Sequence, residues 1–406
     1  MSHARRTLTT AAAERLCAAM FEPSEQRIGL ELEWPVHRHG DVSARPGPAA
    51  MSQLARCRLP CGSRVTFEPG GQIELSTVPQ SCVFDAVEAA RADEKALRSE
   101  LAAFGLRAQT MAVDDRRPPR RVLGHGRYAA MEQFFSAQGK SGPWMMCNTA
   151  STQVNLSHDS SDPHRRWYTL NLVAPVLIAA FANSPGIGLD GDRWASVRQG
   201  IWWSIDRPRT RPVSTSVAPE RAWLDYALAA DVMFVCSQGP TGTGTALPPG
   251  TSFGSWMTAG HDIGWPTADD LRYHLSTLFP PVRPRGWLEL RVLDALPSRV
   301  RDVAALAVAT AGTSRAGREL RRRLPPAPGL WTAAARHGLR HPVLAAAARE
   351  LFAVVRDNLG SVTDRSEHAD LVEAYRRSYI EAGRMPGDDL CRGVDLREHA
   401  AELANS

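Results

Sequence analysis

The stretch Ile28–Trp34, with the sequence IGLELEW, decides the fold because its apolar and polar residues alternate. Successive side chains of a β-strand point to opposite faces, so the apolar residues share one face and Glu31 and Glu33 share the other. The rise of a strand separates their Cα atoms by roughly 6.5–7 Å. Carboxylates this close repel each other unless a cation such as Mg²⁺ lies between them. The stretch therefore predicts a strand that carries either a metal site or the solvated face of an antiparallel sheet.

A second acidic segment, Phe67–Ser76 with the sequence FEPGGQIELS, surrounds a Pro-Gly-Gly break. Glu68 precedes the break, and Glu74 follows it on the same face as Gln72. Two glycines allow backbone angles and close approaches that other residues exclude. We therefore expect either a shaped turn that presents both carboxylates to a site, or an ordinary hairpin turn with an edge strand.

Two further predicted strands repeat the pattern of polar residues on one face. In the sequence STQVNL, Gln153 and Asn155 alternate with apolar residues, and their amide oxygens can bind a metal or a substrate. In WLELRVLD, Glu289 and Arg291 share a face. An acid beside an arginine suits a site where the acid holds metal and the arginine holds phosphoryl oxygens. The alternative is a simple ion pair across strands.

These strands become a site if they are neighbours. The predicted strands cover 27–34, 64–76, 149–156 and 286–293, with a surface helix at 83–104 and helical periodicity after Arg301. Their polar faces would then line one pocket that holds Glu31, Glu33, Glu68, Glu74, Gln153, Asn155, Glu289 and Arg291. Such a set suits phosphoryl transfer, which needs positioned metal ions and charge stabilisation. Strands separated by helices and long loops predict an α+β fold on an antiparallel sheet.

The charged residues limit how a nucleotide could bind. The 406-residue chain has a net charge of +5, and its only lysines are Lys95 and Lys140, so arginine or metal must neutralise any phosphate. The sequence contains no G-x-x-x-x-G-K-[ST] motif and no G-x-G-x-x-G after a strand, which makes any nucleotide binding metal-led. The basic runs at 116–121 and 321–323 lack interleaved aromatic residues, so we expect no nucleic-acid partner.

Cysteine usage and hydropathy indicate the compartment. Seven scattered cysteines argue against a disulfide scaffold and fit a reducing environment. Cys57 and Cys61 form a lone C-x3-C pair without the further ligands of a structural zinc site. No stretch approaches the roughly 20 consecutive apolar residues that cross a bilayer. We expect a cytoplasmic protein without a membrane partner; the sequence does not set its oligomeric state.

With these motifs collected, the sequence resembles the glutamate–cysteine ligase family of plants and many bacteria. The resemblance spans about residues 27–300 in family order, and its long blocks are highly specific. It rests on Gly29–Glu33 (GLELE), Phe67–Ser76, Met145–Leu156 (MMCNTASTQVNL), Arg198–Trp202 (RQGIW), Asp206–Pro212 (DRPRTRP), Ser252–Trp256 (SFGSW) and Asp270–Arg291.

The resemblance implies a glutamine-synthetase-like catalytic fold, in which a curved antiparallel sheet forms a funnel flanked by helices. In the family, the γ-carboxylate of glutamate attacks the γ-phosphate of ATP to give γ-glutamyl phosphate, and the amine of cysteine displaces phosphate. The implied partners are glutamate, cysteine and ATP as co-substrate, with two or more Mg²⁺ ions. The arginine- and alanine-rich composition resembles actinobacterial members that serve ergothioneine biosynthesis. We expect a catalytic core at 1–300 and a helical region at 301–406 packed on it.

The resemblance also assigns roles to residues at matching positions. Gln153 departs from some relatives, which carry His there, so an uncharged oxygen would replace a nitrogen ligand. His274 alone would more often be a buried structural histidine. The implied metal ligands are Glu31, Glu33, Glu68, Glu74, Gln153 and Glu289; the catalytic residues are Arg291 and Glu289; glutamate is held by Arg198, Trp202, Asn155 and Met146; and the nucleotide is reached by Arg283, Arg285 and His274.

Two other functions are compatible with parts of this pattern. A glutamate carboxylate–amine ligase with a different amine acceptor would share the glutamate-side motifs, because the sequence carries no recognisable signature of a cysteine pocket. A non-catalytic protein on the same fold would be expected to lose the carboxylates, yet all of them are present. The first alternative therefore stays open, and the second is disfavoured.

Overall fold

The structure is a computed structural model that describes residues 7–124, 126–236, 244–326 and 329–397. Within these ranges it contains both helices and antiparallel strands, so the expected α+β class is confirmed. The strands are β1 Ile28–Trp34, β2 Val36–Arg38, β3 Arg64–Phe67, β4 Ile73–Ser76, β5 Leu106–Ala108, β6 Ser151–Ser157, β7 Gly186–Ile187, β8 Arg193–Trp194, β9 Phe234–Cys236, β10 Gly244–Ala246, β11 Val282–Pro284, β12 Trp287–Asp294 and β13 Val394–Asp395.

The helices surround the largest sheet. They are α1 Thr10–Ala18, α2 Pro48–Leu54, α3 Val83–Ala103, α4 Gly126–Ser136, α5 Ser141–Asn148, α6 Arg165–Ala180, α7 Val197–Trp203, α8 Arg207–Thr210, α9 Pro219–Ala229, α10 Phe253–Ala259, α11 Ala268–Leu275, α12 Ser298–Ala311, α13 Ser314–Arg323, α14 Leu330–His337, α15 Pro342–Asn358 and α16 Ser366–Tyr375. In the part of the chain that the structure describes, no helix is both long and apolar enough to cross a membrane.

The largest sheet has six strands in the order β11-β12-β6-β1-β4-β3, and every neighbouring pair is antiparallel. Its register pairs Leu32 with Leu75 and Leu30 with Val154, so alternate residues of adjacent strands form continuous apolar rows. These side chains are almost fully buried. Helix α3 contacts β1, helix α6 contacts β12, and helix α12 contacts β6. Burial of this face leaves the opposite, polar face for a site.

A turn between β3 and β4 depends on two adjacent glycines. Gly71 has a φ of +83°, a conformation that residues with a Cβ rarely adopt. A Cβ at Gly70 would lie 2.2 Å from the carbonyl oxygen of Cys147, so only glycine allows the turn to approach α5 this closely. The backbone NH of Gly71 donates to the carbonyl oxygen of Glu68 at 2.8 Å, which closes the turn.

The helices after residue 300 share the hydrophobic core with the sheet. A buried charged cluster joins α12 to α3: Arg301 contacts the carboxylates of Glu94 and Asp302, and Arg91 Nε donates to Asp302 Oδ2 at 2.7 Å. The helical region begins at Ser298, slightly before the expected start. The division into a core at 1–300 and a helical region at 301–406 stays a prediction.

Candidate active site

The register of the six-stranded sheet brings the polar faces of four strands together. Glu33 lies directly opposite Glu74 on the neighbouring strand, and Glu31 lies opposite Gln153. On the other side of β6, Asn155 lies opposite Glu289. The carboxylates that alternation placed on separate strands therefore lie on one face of the sheet, and Glu33 and Glu74 are direct cross-strand neighbours.

This face forms the floor of a cavity of about 470 Å³. Carboxylate and guanidinium groups dominate its lining, and aromatic and methionine side chains supply most of the remainder. Eleven residues singled out from the sequence line it: Glu31, Glu33, Glu68, Glu74, Met146, Gln153, Trp202, Arg283, Arg285, Glu289 and Arg291. The cavity divides into an acidic half and a half where acid and arginine are paired.

The acidic half contains an acidic trio of Glu33, Glu68 and Glu74. One carboxylate oxygen from each lies within 4.8 Å of the others. Separate elements supply them, since Glu33 comes from β1, Glu74 from β4 and Glu68 from the turn between β3 and β4. Three convergent carboxylates are the donor set that a hard divalent cation such as Mg²⁺ prefers. The residues of this half therefore fit the magnesium that the sequence predicted.

The turn that carries Glu68 is held by hydrogen bonds on both sides. The backbone NH of Glu68 donates to the carbonyl oxygen of Gln72 at 2.8 Å. The side-chain amide of Gln72 donates to the carbonyl oxygens of Met146 and Thr149, at 3.2 and 2.9 Å. These bonds fasten the turn to the end of α5 and the chain beside β6, which fixes Glu68 relative to the sheet.

The electrostatics of the acidic half favour a bound cation. Burial, together with the Glu289 and Glu74 carboxylates, raises the pKa of Glu31 to about 7. Burial and the Glu74 carboxylate raise the pKa of Glu33, and burial with Glu74 and Glu33 raises that of Glu68 well above its ordinary value. A divalent cation would remove this repulsion and allow all the carboxylates to ionise.

The second half of the cavity centres on Glu289, whose carboxylate is paired with three arginines. Oε1 accepts a hydrogen bond from Arg285 Nη1 at 2.6 Å. Oε2 lies 3.3 Å from Arg283 Nη1 and 3.5 Å from Arg291 Nη1. Burial of Glu289 would raise its pKa, but the guanidinium groups of Arg283, Arg291 and Arg285 outweigh this effect and hold the pKa below its ordinary value. Glu289 is therefore ionised across the neutral pH range.

Gln153 connects the two halves. Its Nε2 donates to Glu33 Oε1 at 3.1 Å, and its Oε1 accepts from Arg291 Nη1 at 3.0 Å. The side-chain oxygen of Gln153, predicted to bind metal, thus accepts a hydrogen bond from Arg291 in this structure. Arg291 also lies over the rings of Trp202 and Phe279, with Cζ 5.5 and 5.7 Å from the ring centroids. These contacts orient the Arg291 guanidinium along the cavity floor.

Two predicted glutamate-binding residues lie beside the cavity and are not part of its lining. The Arg198 side chain is buried next to the floor, where Nη2 donates to the carbonyl oxygen of Arg291 at 3.2 Å and Nη1 lies 3.9 Å from Asp294 Oδ1. Its Nε has no hydrogen-bond partner among the described residues. Asn155 lies on the polar face of the sheet and donates to Glu31 Oε1 at 2.8 Å.

His274, predicted to reach the nucleotide, is not brought to the cavity. It is buried in α11, and its Nε2 lies 2.9 Å from the carbonyl oxygen of Ala227. Burial and the nearby Arg209 lower the pKa of His274 to about 3, so the ring is neutral. The structure places His274 in the core, which agrees with the alternative that it is a buried structural histidine.

The structure adds cavity residues that sequence reasoning missed. Arg127, Tyr128 and Met131 reach the cavity from α4, and Ser276 and Phe279 reach it from the segment after α11. Burial, with the Glu68 carboxylate nearby, raises the pKa of Tyr128 to about 12. Helix α4 begins at Gly126 and places Arg127 and Tyr128 on the wall of the cavity. No sequence motif marks these two residues as part of the site.

Two solved structures share the fold of this chain. The structure matches a glutamate–cysteine ligase from Francisella tularensis, solved in complex with AMP, with a TM-score of 0.53 and 13% sequence identity over 94% of this chain and 88% of that chain. It also matches a bifunctional glutathione synthetase from Pasteurella multocida, with a TM-score of 0.52 over 98% of this chain and 54% of that chain. These matches confirm the expected fold class, an α+β fold with an antiparallel sheet flanked by helices.

Sequence comparison identifies the family. Residues 27–404 match the model of glutamate–cysteine ligase family 2, and the chain belongs to this family. It is 36% identical over 387 residues to the glutamate–cysteine ligase EgtA of Mycolicibacterium smegmatis, covering 93% of this chain and 89% of that protein. It is 28% identical over 371 residues to the chloroplastic glutamate–cysteine ligase of Arabidopsis thaliana, covering 84% of this chain and 66% of that protein. The family resemblance drawn from the motifs is thereby confirmed.

Proposed function

We propose that this chain is an ATP-dependent ligase that joins the γ-carboxylate of glutamate to the amine of cysteine and forms γ-glutamylcysteine. The observation that carries the proposal is that five carboxylates and four arginines line one cavity of a family member. The name of the relative from Mycolicibacterium smegmatis, glutamate–cysteine ligase EgtA, supports cysteine as the acceptor. Ergothioneine biosynthesis as the use of the product rests on the resemblance to actinobacterial members of the family. A cytoplasmic location remains part of the proposal.

The acidic trio would hold one magnesium ion, and Glu31 with Glu289 would contribute to a second. When bound, the ions would neutralise the triphosphate and the charge that develops during phosphoryl transfer. The chain's own part is to hold the carboxylates in place, through the glycine turn below Glu68 and the cross-strand pairing of Glu33 with Glu74. Gln153 would act mainly by positioning Glu33 and Arg291, since its amide bonds to both.

The arginines would handle the phosphates. Arg283 and Arg285 flank Glu289 and present guanidinium groups to the cavity, where they can bind the nucleotide phosphates in bidentate fashion. Arg291 would stabilise the phosphoryl group as it passes to the γ-carboxylate of glutamate, because its guanidinium lies 3.5 Å from Glu289 and donates to Gln153, which in turn bonds to Glu33 of the acidic trio. Only two lysines occur in the chain, so arginine carries this work.

Glutamate would bind at the end of the cavity nearest Arg198, Trp202 and Met146. Trp202 and Met146 line the cavity, and the buried Arg198 provides positive charge behind them. An attacking γ-carboxylate held there would face the acidic trio and its metal. The γ-glutamyl phosphate formed in the first step would then meet the cysteine amine, which releases phosphate.

Release of ADP by the purified protein tests this proposal. With glutamate, ATP and Mg²⁺ present, we expect turnover to depend on cysteine and γ-glutamylcysteine to be the product. A panel of other amines at equal concentration serves as the comparison. Equal or faster turnover with another amine would favour the second candidate, a glutamate ligase with a different acceptor, and no glutamate-dependent ADP release with any amine would refute ligase activity.

A further inference from the structure

The hairpin between β11 and β12 carries Arg285 at its tip, on the rim of the cavity. Its turn is fixed by a hydrogen bond from the backbone NH of Arg285 to the carbonyl oxygen of Trp287 at 2.7 Å and by Gly286, whose φ is +82°. The Arg285 side chain is 44% exposed, although the carboxylate that it contacts, that of Glu289, is 1% exposed. The Arg285 side chain is therefore partly in solvent while its guanidinium contacts a buried carboxylate. Its backbone is held in place by the turn.

Glu289 differs from the other carboxylates of the cavity because arginines cover both of its oxygens. Arg285 holds Oε1, and Arg283 and Arg291 lie against Oε2. Among the described residues, the acidic trio and Glu31 form no ion pair with an arginine within 4.0 Å. The guanidinium that donates to Oε1 at 2.6 Å occupies one lone pair of this oxygen and places a positive charge beside it, so Arg285 competes with a cation for the Glu289 carboxylate. Metal binding at Glu289 is therefore weakened for as long as all three arginines stay.

Of the three arginines, Arg285 is the one that can leave. Arg283 is 7% exposed in its side chain and also donates to the carbonyl oxygen of Leu275 at 3.2 Å. Arg291 is 15% exposed and is bonded to Gln153. Arg285, by contrast, has no second hydrogen bond among the described residues, and its further close contact there is the exposed ring of Trp287, 5.2 Å from its Cζ. Release of Arg285 would break one ion pair and leave the core intact.

We propose that Arg285 is a placeholder cation that occupies Glu289 until a nucleotide arrives and then transfers to a phosphate group. The inference rests on the proposed function, since it assumes that Glu289 is a metal ligand. A phosphate is the partner that can compete for a guanidinium with a carboxylate, through charge-assisted bidentate hydrogen bonds. The exchange makes metal binding at Glu289 weak without nucleotide and strong with it, and by linkage the metal strengthens nucleotide binding equally.

Titration of the nucleotide-free protein with Mn²⁺, followed by electron paramagnetic resonance, tests the placeholder without any turnover. We expect Arg285→Ala to strengthen the weaker Mn²⁺ site at least fivefold, the lower end of typical coupling between sites. Arg127→Ala is the matched control, because Arg127 also lines the cavity but donates to Ser276 Oγ and the Ser276 carbonyl oxygen. It removes one charge without touching Glu289, and we expect a change below about twofold.

Two further measurements separate loss of the Arg285–Glu289 ion pair from a general loss of positive charge in the cavity. The Arg285→Ala gain should vanish in a Glu289→Gln background, because the carboxylate charge that Arg285 neutralises is then absent. In the wild type, a non-hydrolysable ATP analogue should strengthen the weaker Mn²⁺ site more than it does in Arg285→Ala. Thermal melting of each variant checks that it is folded.

Several results would overturn the placeholder. Equal gains in Arg285→Ala and Arg127→Ala, a gain that survives Glu289→Gln, or the absence of measurable Mn²⁺ binding in both wild type and Arg285→Ala would each do so. The outcome is distinguishable from failure of the proposed function. A protein that releases no ADP but shows the predicted Mn²⁺ pattern keeps the placeholder and loses the ligase.

Discussion

A single methyl group at Gly70 should disable the acidic trio. The Cβ of an alanine there would lie 2.2 Å from the carbonyl oxygen and 2.5 Å from the Cα of Cys147. Real Cβ atoms essentially never come within 3.0 Å of such atoms, so Gly70→Ala must separate the turn from α5 by about 0.8 Å or more. Both contacting groups of Cys147 are backbone atoms, and no side-chain rotation can relieve the overlap.

The displacement falls on the turn that carries Glu68. Overpacking of this kind costs about 1–3 kcal/mol, which leaves a protein with about 5–15 kcal/mol of stability folded. A misplacement of about 1 Å can lower a rate about 100-fold. We therefore expect Gly70→Ala to remain folded, to require more Mg²⁺, and to release ADP about 100-fold more slowly with saturating glutamate and cysteine.

The assay measures ADP release over a range of Mg²⁺ concentrations, with circular dichroism to check the fold. Gly360→Ala is the matched control, since a Cβ there would meet nothing within 4 Å and Gly360 does not line the cavity. Gly70→Ala with turnover within about twofold of wild type and an unchanged Mg²⁺ requirement would refute the reasoning. So would an equal loss in Gly360→Ala, because that loss could not come from the turn.

Four further outcomes follow from the cavity. Glu33→Gln and Glu289→Gln should abolish turnover while each protein still folds, and near-normal rates in both would remove them from the metal set. Glu289→Gln should lower the melting temperature, because it leaves buried arginines without their carboxylate partner. Arg291→Lys should lower kcat at least about 100-fold, because an ammonium group cannot reproduce a stacked, bidentate guanidinium; a change under threefold would contradict its role. The raised pKa of Glu31, about 7, means that metal must displace a proton below that pH, so Mg²⁺ affinity measured by calorimetry should rise from pH 6 to 8 and level off above. Glu31→Gln should flatten this rise. In the metal-free protein, the stability that Glu31 contributes is present below its ordinary pKa of 4.5 and is lost as the pH rises through about 7, and a pH-independent melting temperature difference between wild type and Glu31→Gln would contradict this.

The strands of the site could be predicted from the sequence because alternation is a local property. The predicted strand at 27–34 corresponds to β1 at Ile28–Trp34, and the one at 286–293 corresponds to β12 at Trp287–Asp294. The helix predicted at 83–104 is α3. Alternation also gave the correct face for the carboxylates, since a strand with a buried apolar side leaves its acids together on the other.

The partners of each side chain could not be predicted in the same way, because they depend on neighbours that are distant in sequence. Glu289 was expected to bind metal beside one arginine, yet three arginines surround it. Arg283 reaches Glu289 because β11 pairs with β12. No motif marks Arg127, which α4 brings to the wall. Proximity of residues in one sequence block suggested that His274 was at the site, but a helix turns it into the core.

The buried charges between α3 and α12 have a practical consequence for any shortened version of this protein. A chain that ended at residue 300 would stop within α12 and would remove Arg301 and Asp302, the C-terminal partners of Glu94 and Arg91. Breaking a buried ion pair in this way costs about 3–5 kcal/mol, a large share of a typical folding free energy. We therefore expect the six-stranded sheet and the helices after residue 300 to unfold together, and the chain should be expressed at full length.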